Sequence, residues 1–358
     1  MTSIVHVISG LGTGGAENML VRLTFGLRDR GFRQQVVSVS GRGDYADELE
    51  ASGIGVTALD VRSLIGAPVG LLRLVKLVRD AAPEVIQGWM YHGDLFAALA
   101  HKMAAGQKSR HLFWNLRASN TDEGGYGRIV WGNAWLSRWP DMVIANSRAG
   151  LDFHQACGYR PRRADVIPNG IDVDCFRPDP GARAAIRAEL DIPHDRVVAI
   201  HVARVNPMKD HALFLGVMAG LPSVQGMMVG EGTQELPHPA NVLALGLRRD
   251  IERLYAAADL VVSTSAYAEG FSNVIGEGMS AGLVPITTDV GDARAIVGET
   301  GHVVPVRQSD ALSAAIASVA QQPQREREGH GLQARDRIVG HFSLARAIDR
   351  YSNLYRDR

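Results

Sequence analysis

The stretch that decides the fold reads Asp259-Leu-Val-Val-Ser-Thr-Ser265 and continues, shortly after, as Glu269-Gly-Phe-Ser-Asn-Val-Ile-Gly-Glu277. The first part is an apolar run with strand character, and the second is a run of small residues that is typical of the start of a helix. The chain therefore passes from a strand through a loop into a helix N-terminus. Such strand–turn–helix units indicate an α/β protein with a parallel sheet.

The expected helix N-terminus predicts a binding site for phosphate. Its N–H groups lack partners within the helix, and the positive end of the helix dipole favours an anion. Glu269 and Glu277 flank this point and would repel a phosphate, so we expect both carboxylates to accept hydrogen bonds from sugar hydroxyls. The stretch thus predicts a ligand with a diphosphate in the middle and a sugar on either side.

Strand-like runs alternate with helical patterns along the rest of the chain. Strands are predicted at 4–8, 36–39, 85–87, 112–114 and 142–145, at 166–172 as a strand broken by turn residues, and again at 197–202, 225–229, 242–244, 260–263 and 284–287. Helices are predicted at 16–30, 69–80, 94–103 and 344–355. This alternation predicts two doubly wound, Rossmann-like parallel sheets that face a central cleft. We place the domains at 1–168 and 169–342, followed by a terminal segment at 343–358.

Composition excludes several classes of protein. The 38 Lys and Arg residues balance 38 Asp and Glu residues, so no overall charge recruits nucleic acid. The two cysteines, Cys157 and Cys175, cannot form a disulfide scaffold or a zinc cluster and suit a reducing compartment. The chain has no signal-peptide pattern at its start and no apolar run long enough to span a bilayer. We therefore expect a cytoplasmic protein.

A glycine-rich loop follows the first predicted strand, as Gly10-Leu-Gly-Thr-Gly-Gly15. Its G-x-G-x-x-G spacing allows a backbone to approach a diphosphate closely at a helix start. NAD-binding folds also carry an acid after the second strand, where this chain has Ser38-Val-Ser-Gly-Arg42. An NAD enzyme is therefore disfavoured, while Arg42 leaves an NADP-dependent oxidoreductase as an alternative.

Two cations follow the first strand of the second half. Arg204 and Lys209 lie in His201-Val-Ala-Arg-Val-Asn-Pro-Met-Lys-Asp210, at the expected carboxyl end of that strand. Fixed cations at this point would stabilise the charge that develops on a departing diphosphate. Arg can hold a phosphate through two donors, whereas Lys acts as a point charge. Two solvated surface cations are the alternative interpretation.

Together these segments resemble the family 4 retaining glycosyltransferases of the GT-B fold. The resemblance covers almost the whole chain and follows the family's order. The matching segments are 12–17, 91–94, 166–172, Arg204 with Lys209, 245–246 with Asp250, and 269–277. In such a fold the segment 343–358 is expected to be a helix that crosses back to the first domain.

The resemblance implies roles for the matching residues. Donor binding would fall to a set of backbone and side-chain groups in both domains, namely Gly12, Gly14, Gly15, Gly270, Phe271, Ser272, Asn273 and Glu277. Arg204 and Lys209 would neutralise the diphosphate, Glu269 would hold hydroxyls of the donor sugar, and His92 would lie beside that sugar. The implied activity is transfer of a sugar from a nucleoside diphosphate donor, of the UDP-sugar class, to a saccharide or lipid-linked acceptor.

We expect this transfer to need neither a metal ion nor a cofactor. Asp172-Val-Asp174 matches an Asp-x-Asp metal motif, but its place in the connector between domains indicates a chance match. Arg204 and Lys209 already supply the positive charge that Mg²⁺ would bring. Front-side displacement with retention is the mechanism that we favour. A non-catalytic nucleotide-sugar-binding protein and a sugar-nucleotide epimerase remain alternatives.

Candidate residues for the acceptor side lie in the first half of the chain. Glu17, Arg117 and Trp114 are the candidate acceptor-side residues, and a polar, Gly-rich loop at 117–127 could close over an acceptor. Four of the five tryptophans lie between Trp114 and Trp139, where they could pack beneath an acceptor or form part of the core.

A predicted helix at 69–80 mixes apolar residues with the cations Arg73, Lys76 and Arg79. Such a helix could rest peripherally on the inner face of a membrane that carries a lipid-linked acceptor. Packing on the sheet is the alternative.

Overall fold

The computed structural model describes residues 2–12, 14–63, 65–104, 110–117 and 126–357. The chain divides into two compact units. The first comprises Met1–Gly170 together with Leu344–Arg358, and the second comprises Ile171–Ser343. The sequence placed a domain boundary between residues 168 and 169, and the structure divides the chain after Gly170.

The first unit contains a parallel sheet that is seven-stranded in the described residues, with the order β3-β2-β1-β4-β5-β6-β7. Its strands are β1 (Ser3–Ile8), β2 (Arg33–Ser38), β3 (Gly55–Ala58), β4 (Val85–Trp89), β5 (His111–Leu116), β6 (Met142–Ala145) and β7 (Ala164–Val166). Its helices are α1 (Gly15–Asp29), α2 (Ala46–Ala51), α3 (Ala67–Ala81), α4 (Met90–Met103), α5 (Gly127–Leu136), α6 (Arg148–Ala156) and α14 (Leu344–Arg356).

Helices cover both faces of this sheet. One apolar core joins the strands to α3, α4, α5 and α6, and a second joins them to α1, α2 and α14. All residues of β1 and β4 are buried, as expected for strands that are packed on both faces. The arrangement is therefore doubly wound.

The last helix, α14, belongs to the first unit. Tyr351 and Tyr355 are completely buried, and each makes a polar contact with a strand residue. Asn115 Nδ2 donates to the Tyr351 hydroxyl at 2.8 Å, and the Tyr355 hydroxyl donates to Gln87 Oε1. These contacts fix α14 to the middle strands β4 and β5.

The second unit contains a parallel sheet, six-stranded in the described residues, with the order β10-β9-β8-β11-β12-β13. Its strands are β8 (Val197–Val202), β9 (Val224–Val229), β10 (Val242–Ala244), β11 (Leu260–Ser263), β12 (Val284–Thr288) and β13 (His302–Val304). Its helices are α7 (Pro180–Glu189), α8 (His211–Ala219), α9 (Ile251–Ala257), α10 (Asn273–Ser280), α11 (Ala293–Val297), α12 (Ser309–Ala320) and α13 (Gln324–His341). The predicted fold class of two Rossmann-like parallel sheets is confirmed.

The start of α4 differs from the sequence-based prediction. The helix begins at Met90, directly after β4, and not at residue 94. Met90 has a φ of 63°, a left-handed conformation that is uncommon for a residue with a side chain. This sharp turn replaces the expected loop and places His92 in the first turn of the helix.

None of the helices in these described ranges is both long enough and apolar enough to cross a membrane.

Candidate active site

In the second unit, the predicted charged residues lie at the carboxyl edge of the sheet. Arg204 and Lys209 follow β8, and Glu269 follows β11. These two strands are neighbours at the point where the strand order reverses. Ligands of open α/β sheets bind in the crevice at such a switch point.

Lys209 and Glu269 form an ion pair within this crevice. The Lys209 ammonium contacts Glu269 Oε1, and the side chains are 23% and 14% exposed. The Ser265 hydroxyl donates to the same carboxylate oxygen at 2.9 Å. The site therefore holds an ammonium and a carboxylate side by side and partly shielded from water, where charge interactions are stronger than at the surface.

The loop that carries Lys209 is fixed from below by Thr264. Its hydroxyl lies 2.8 Å from the Lys209 carbonyl oxygen and 3.1 Å from that of Asp210. His201 Nε2 lies 3.0 Å from the same hydroxyl. Because the hydroxyl hydrogen is directed to a backbone carbonyl, we assign the His201 proton to Nε2, which donates to Thr264. Burial lowers the pKa of His201 to about 3, so its imidazole is neutral.

Further backbone contacts hold the same loop. Asn206 Oδ1 accepts a hydrogen bond from the Met208 N–H at 2.8 Å, which caps the short turn Pro207–Lys209. The Ala266 N–H donates to the Met208 carbonyl at 2.8 Å and joins this loop to the one after β11. Arg204 lies at the start of the loop with an exposed side chain. These hydrogen bonds fix the backbone of the loop that carries Arg204 and Lys209.

The N-terminus of α10 forms the next wall of the site. Ser272 is the N-cap, and α10 begins at Asn273. Phe271 is buried and packs on Phe342 with ring centroids 5.5 Å apart, so only its backbone is placed to contact a ligand.

Gly291 supports the backbone in front of α10. It has a φ of 61°, and a Cβ there would lie 2.3 Å from the Glu269 carbonyl oxygen. The Asp292 N–H also donates to the Gly270 carbonyl at 3.0 Å. A glycine is required at position 291 because its φ and the close approach both exclude a side chain.

Glu277 lies further along α10, next to a buried tyrosine. The Tyr255 hydroxyl lies 3.4 Å from Glu277 Oε2 and 3.3 Å from the Val274 carbonyl oxygen. Burial and the nearby Glu277 carboxylate both raise the pKa of Tyr255, so the phenol keeps its proton and can donate. Tyr255 thereby orients the Glu277 carboxylate, which the sequence predicts to accept hydrogen bonds from sugar hydroxyls.

In the first unit, the predicted glycine loop and His92 also meet at a switch point. The loop follows β1, His92 follows β4, and these strands are neighbours where the order reverses. The Gly93 N–H lies 3.4 Å from the Ser9 hydroxyl. A Cβ at Gly93 would lie 2.3 Å from the Val7 carbonyl oxygen, so the glycine lets α4 pack closely on β1.

The His92 side chain is exposed, and its ring centroid lies 6.1 Å from that of Tyr126. Neighbouring atoms partly desolvate the imidazole and lower its pKa, so it is neutral at pH 7. The nearby residue Met90 holds an uncommon backbone conformation, a feature that often accompanies functional sites.

The glycine loop leads directly into α1. Gly14 is the N-cap in an extended conformation, Gly15 is the first helical residue, and Gly12 is exposed. The Glu17 carboxylate folds back over Gly14, where a Cβ would lie 2.3 Å from its Oε2 atom. Burial raises the pKa of Glu17 in this position.

Two of the candidate acceptor-side residues, Trp114 and Arg117, are surrounded by other protein groups. Trp114 is completely buried and packs edge-on to Tyr159 at 6.3 Å, so it belongs to the core and cannot touch an acceptor; that expectation is wrong. Arg117 donates to Asn169 Oδ1 and to the Tyr351 hydroxyl, and it lies 4.7 Å above the Trp89 ring. These contacts give Arg117 a structural role in holding α14. The loop residues 118–125 lie outside the described ranges.

Asp172, of the Asp-x-Asp match, and Arg42, on which the NADP interpretation rests, both contact residues nearby in the chain. Asp172 Oδ1 accepts hydrogen bonds from the N–H groups of Asp174 and Cys175, at 3.2 and 2.9 Å, which makes it a turn residue. Within the described ranges, no group of three or more His, Cys, Asp or Glu residues is arranged to hold a metal ion. Arg42 forms ion pairs with Asp47 and Glu50, which compete with a 2′-phosphate for its guanidinium.

Ser265 and Thr264 are site residues that the sequence analysis missed. Both are buried and immediately follow β11. The available signal was their position, because polar residues directly after a buried strand often face a ligand crevice. Their partners, Glu269 and the Lys209 backbone, could not be read from the order of residues.

Two family descriptions match the chain. Glycosyltransferase Family 4 matches residues 13–175, and Glycosyl transferases group 1 matches residues 196–322. A D-inositol 3-phosphate glycosyltransferase of Segniliparus rotundus is 30% identical over 223 residues, which are 56% of this chain and 49% of that protein. The EpsF protein of Bacillus subtilis strain 168 is 25% identical over 90% of this chain and 89% of its own length. The chain thus spans about half the length of the first of these relatives.

A solved structure of similar fold is that of Anabaena Alr3699/HepE. In complex with UDP it has a TM-score of 0.88, 23% identity and full coverage of both chains. The same protein in complex with UDP-glucose has a TM-score of 0.86 at the same identity and coverage. This likeness shows the GT-B fold of the present chain.

Proposed function

Since the chain belongs to the family 4 glycosyltransferases of the GT-B fold, we propose that it transfers a sugar from a UDP-sugar to a saccharide or lipid-linked acceptor. The observation that carries this proposal is the pairing of Lys209 with Glu269 at the switch point of the second unit, next to the N-terminus of α10. A nucleotide sugar needs positive charge for its diphosphate and acceptors for its hydroxyls, and this crevice supplies both.

The donor would bind with its diphosphate at Arg204, Lys209 and the first turn of α10. The two side-chain cations and the helix dipole act in the same direction on an anion. Their effect is larger on the departing diphosphate than on the bound donor, because the bridging oxygen gains charge as the glycosidic bond breaks. The chain thus carries its own source of the charge compensation, and we propose that no metal ion takes part.

Glu269 and Glu277 would bind the two sugars of the donor. Glu269 would accept hydrogen bonds from the transferred sugar, since it borders the crevice and is held there by Lys209 and Ser265. Glu277, oriented by Tyr255, would accept them from the ribose. The UDP and UDP-glucose complexes of the Anabaena protein support a uridine donor.

We propose transfer with retention through front-side displacement. The acceptor hydroxyl would attack from the side on which UDP leaves, and the departing phosphate oxygen would take its proton. In this scheme His92, neutral at pH 7, lies beside the donor sugar and contributes a hydrogen bond rather than a charge. NMR analysis of the product's anomeric configuration tests retention, and a trapped covalent sugar–enzyme adduct would contradict a direct displacement.

A donor panel tests the proposal as a whole. Purified protein is incubated with labelled UDP-, GDP- and ADP-sugars, with and without a chelator, and both hydrolysis and the melting temperature are measured. We expect a UDP-sugar to raise the melting temperature and to be hydrolysed slowly, with no effect of the chelator. Protection by NADP but by no nucleotide sugar would overturn the proposal.

Substitutions at the site provide a second test of the proposed function. Arg204→Ala, Lys209→Ala and Glu277→Ala should each lower kcat/KM for the donor by about 10²-fold, the effect of losing one charged hydrogen bond. Arg325→Ala and Glu326→Ala change exposed residues of α13 and serve as matched controls. Wild-type kinetics in all three site variants would refute the assignment.

A further inference from the structure

Two tryptophans of α5 are exposed in a chain whose other tryptophans are at least partly covered. Trp131 and Trp135 are 65% and 74% exposed, with ring centroids 5.9 Å apart. Trp89 and Trp114 are completely buried, and Trp139 is partly buried. Adjacent exposed indoles are unusual on a protein surface that faces only water, and they mark an interaction site.

Arginines extend this aromatic pair along the same face. Arg128 precedes Trp131 by three positions, so helical spacing aligns its side chain with those of Trp131 and Trp135, and Arg138 follows just beyond the end of α5. The Arg160 N–H donates to the Ser137 hydroxyl at 2.8 Å, which fixes the next loop against the end of α5. Arg138, Arg160 and Arg162 then line a groove of about 770 Å³.

Two segments of this surface carry charge of one sign, and the acids that directly follow them, Asp141 and Asp165, contact His111 and Arg350. Residues 126–140 and 157–164 contain five arginines and no Asp or Glu. The whole chain has equal numbers of basic and acidic residues, so the basic region is a local feature. Such a concentration of cations fits an anionic partner.

We propose that Arg128, Trp131, Trp135, Arg138, Arg160 and Arg162, the Trp–Arg surface, dock on an anionic phospholipid bilayer. Indole rings prefer the headgroup region of a bilayer, where the ring is apolar and its N–H can meet water. Arginines are attracted by anionic headgroups and bind their phosphates through paired donors. The groove beside the tryptophans receives headgroup phosphates while the indoles enter the interface.

The position of α5 relates membrane docking to the location of His92 in the first unit. The helix begins next to Tyr126, whose ring lies beside His92, and it runs from there to the groove. A docked α5 therefore places the His92 end of the unit near the membrane surface. Docking itself needs no sugar transfer, so its test is independent of the proposed activity.

The experiment uses the full chain and vesicles of phosphatidylcholine, alone or mixed with phosphatidylglycerol. We expect co-sedimentation with the mixed vesicles only, reversal by salt, and a blue shift of tryptophan emission as the exposed indoles leave water. Trp131→Ala with Trp135→Ala should weaken binding by about tenfold or more. Arg160→Glu with Arg162→Glu should reduce it at least as much.

A control pair tests whether binding depends on this surface in particular. Leu332→Ala with Arg325→Glu alters an exposed apolar residue and an exposed cation of α13 and should bind like the wild type. Unchanged melting curves show that the surface variants are folded. Equal binding by wild type and tryptophan variants overturns the proposal.

Two other outcomes would also overturn it. Loss of binding through Leu72→Ala with Arg73→Ala, when the α5 variants still bind, would move docking to α3. A dimer that depends on Trp131 and Trp135, without vesicle binding, would identify a second copy of the chain as the partner.

Discussion

Thr264 shows how a single hydroxyl can position a charged side chain that it does not touch. It joins His201 to the backbone of Lys209 and so connects the buried sheet to the loop above it. Removing the hydroxyl leaves a partly buried carbonyl and a buried imidazole without this partner.

Thr264→Val should therefore reduce both stability and activity. We expect a loss of about 1–3 kcal/mol in the free energy of unfolding, the typical effect of leaving a buried polar group unsatisfied. We also expect kcat/KM for the donor to fall because Lys209 loses its fixed position. Thr264→Ser keeps the hydroxyl and should recover most of both, as measured by denaturant melts and initial rates. Wild-type kinetics in Thr264→Val would show that the loop is held without this hydroxyl.

Asp94 is completely buried in α4, and Asn115 N–H donates to its Oδ1 at 3.2 Å. Burial raises the pKa of Asp94 well above its usual value. The native protein therefore retains a proton that the unfolded chain releases above about pH 4. Stability from this group is present at low pH and is lost as the pH rises from about 4 toward the folded pKa.

Asp94→Asn should remove that loss, because the amide keeps the Oδ1 acceptor and does not titrate. The melting temperature of the variant relative to wild type is expected to increase from about pH 4 to about pH 8, when both proteins are melted across this range. A difference that does not change with pH would show that Asp94 titrates normally.

The residues of the site differ in how far the sequence could predict them. Arg204, Lys209 and Glu269 could be named because their positions just after strands, in the order of the resembling family, favour a ligand site over solvated surface charges. Thr264 could not, since a hydroxyl near a strand is common and only burial reveals its role. Asp94 lies in the matching segment 91–94, but the burial of its carboxyl could not be read from the sequence. Trp114 was misassigned because an indole fits a core and a sugar face equally well, and the sequence does not show which neighbours surround it.

Among the elements, α4 depends on close contact with β1. Gly93 provides this contact, since a Cβ there would meet the Val7 carbonyl oxygen at 2.3 Å. The contact also sets the position of His92, one residue earlier in the same turn.

Gly93→Ala should push α4 away from the sheet and cost about 1–3 kcal/mol of stability, as overpacking typically does. Gly132 in α5 is the matched control, because a Cβ there has no neighbour within 4 Å. Gly132→Ala should be neutral or stabilise the protein by up to about 1 kcal/mol through helix propensity. Chemical denaturation of both variants measures the contrast, and equal effects would contradict the packing argument.

Element types were predictable where the apolar pattern was long. The strands β8 to β12 lie within one residue of their predicted ranges at each end. The start of α4 was not predictable, because the left-handed turn at Met90 goes against local preference and is imposed by the packing of α4 on β1. The short strands β3 and β13 were missed because so few residues carry little periodic signal, and β7 was placed too late in the chain, at 166–172.

At the scale of the whole molecule, the first unit is built from two segments that are distant in sequence. The side chains of Ile348, Tyr351 and Tyr355 lie in the same core as β1 and β4. Alternation of strands and helices was sufficient to predict two sheets, since each strand–helix repeat has one favoured arrangement. Where the last helix packs depends on contacts distant in sequence, which no local pattern contains.

Removing residues 344–358 should destabilise the first unit selectively. Loss of each buried tyrosine is comparable to a large-to-small core substitution, about 3–5 kcal/mol. Limited proteolysis with mass spectrometry should show new cleavage sites within residues 2–170, while residues 171–343 stay resistant. Removal of residues 357–358 is the control and should change nothing. A first unit that still resists protease would indicate that α14 contributes little to it.

The placement of α14 also bears on synthesis at the ribosome. The first unit cannot close its core until residues 344–358 have left the exit tunnel. By then all residues of the second unit have already emerged. The unit that is synthesised first is therefore the second to have all of its residues available for folding. During that interval the first unit exposes the apolar core residues that α14 later covers, and chaperones can bind them.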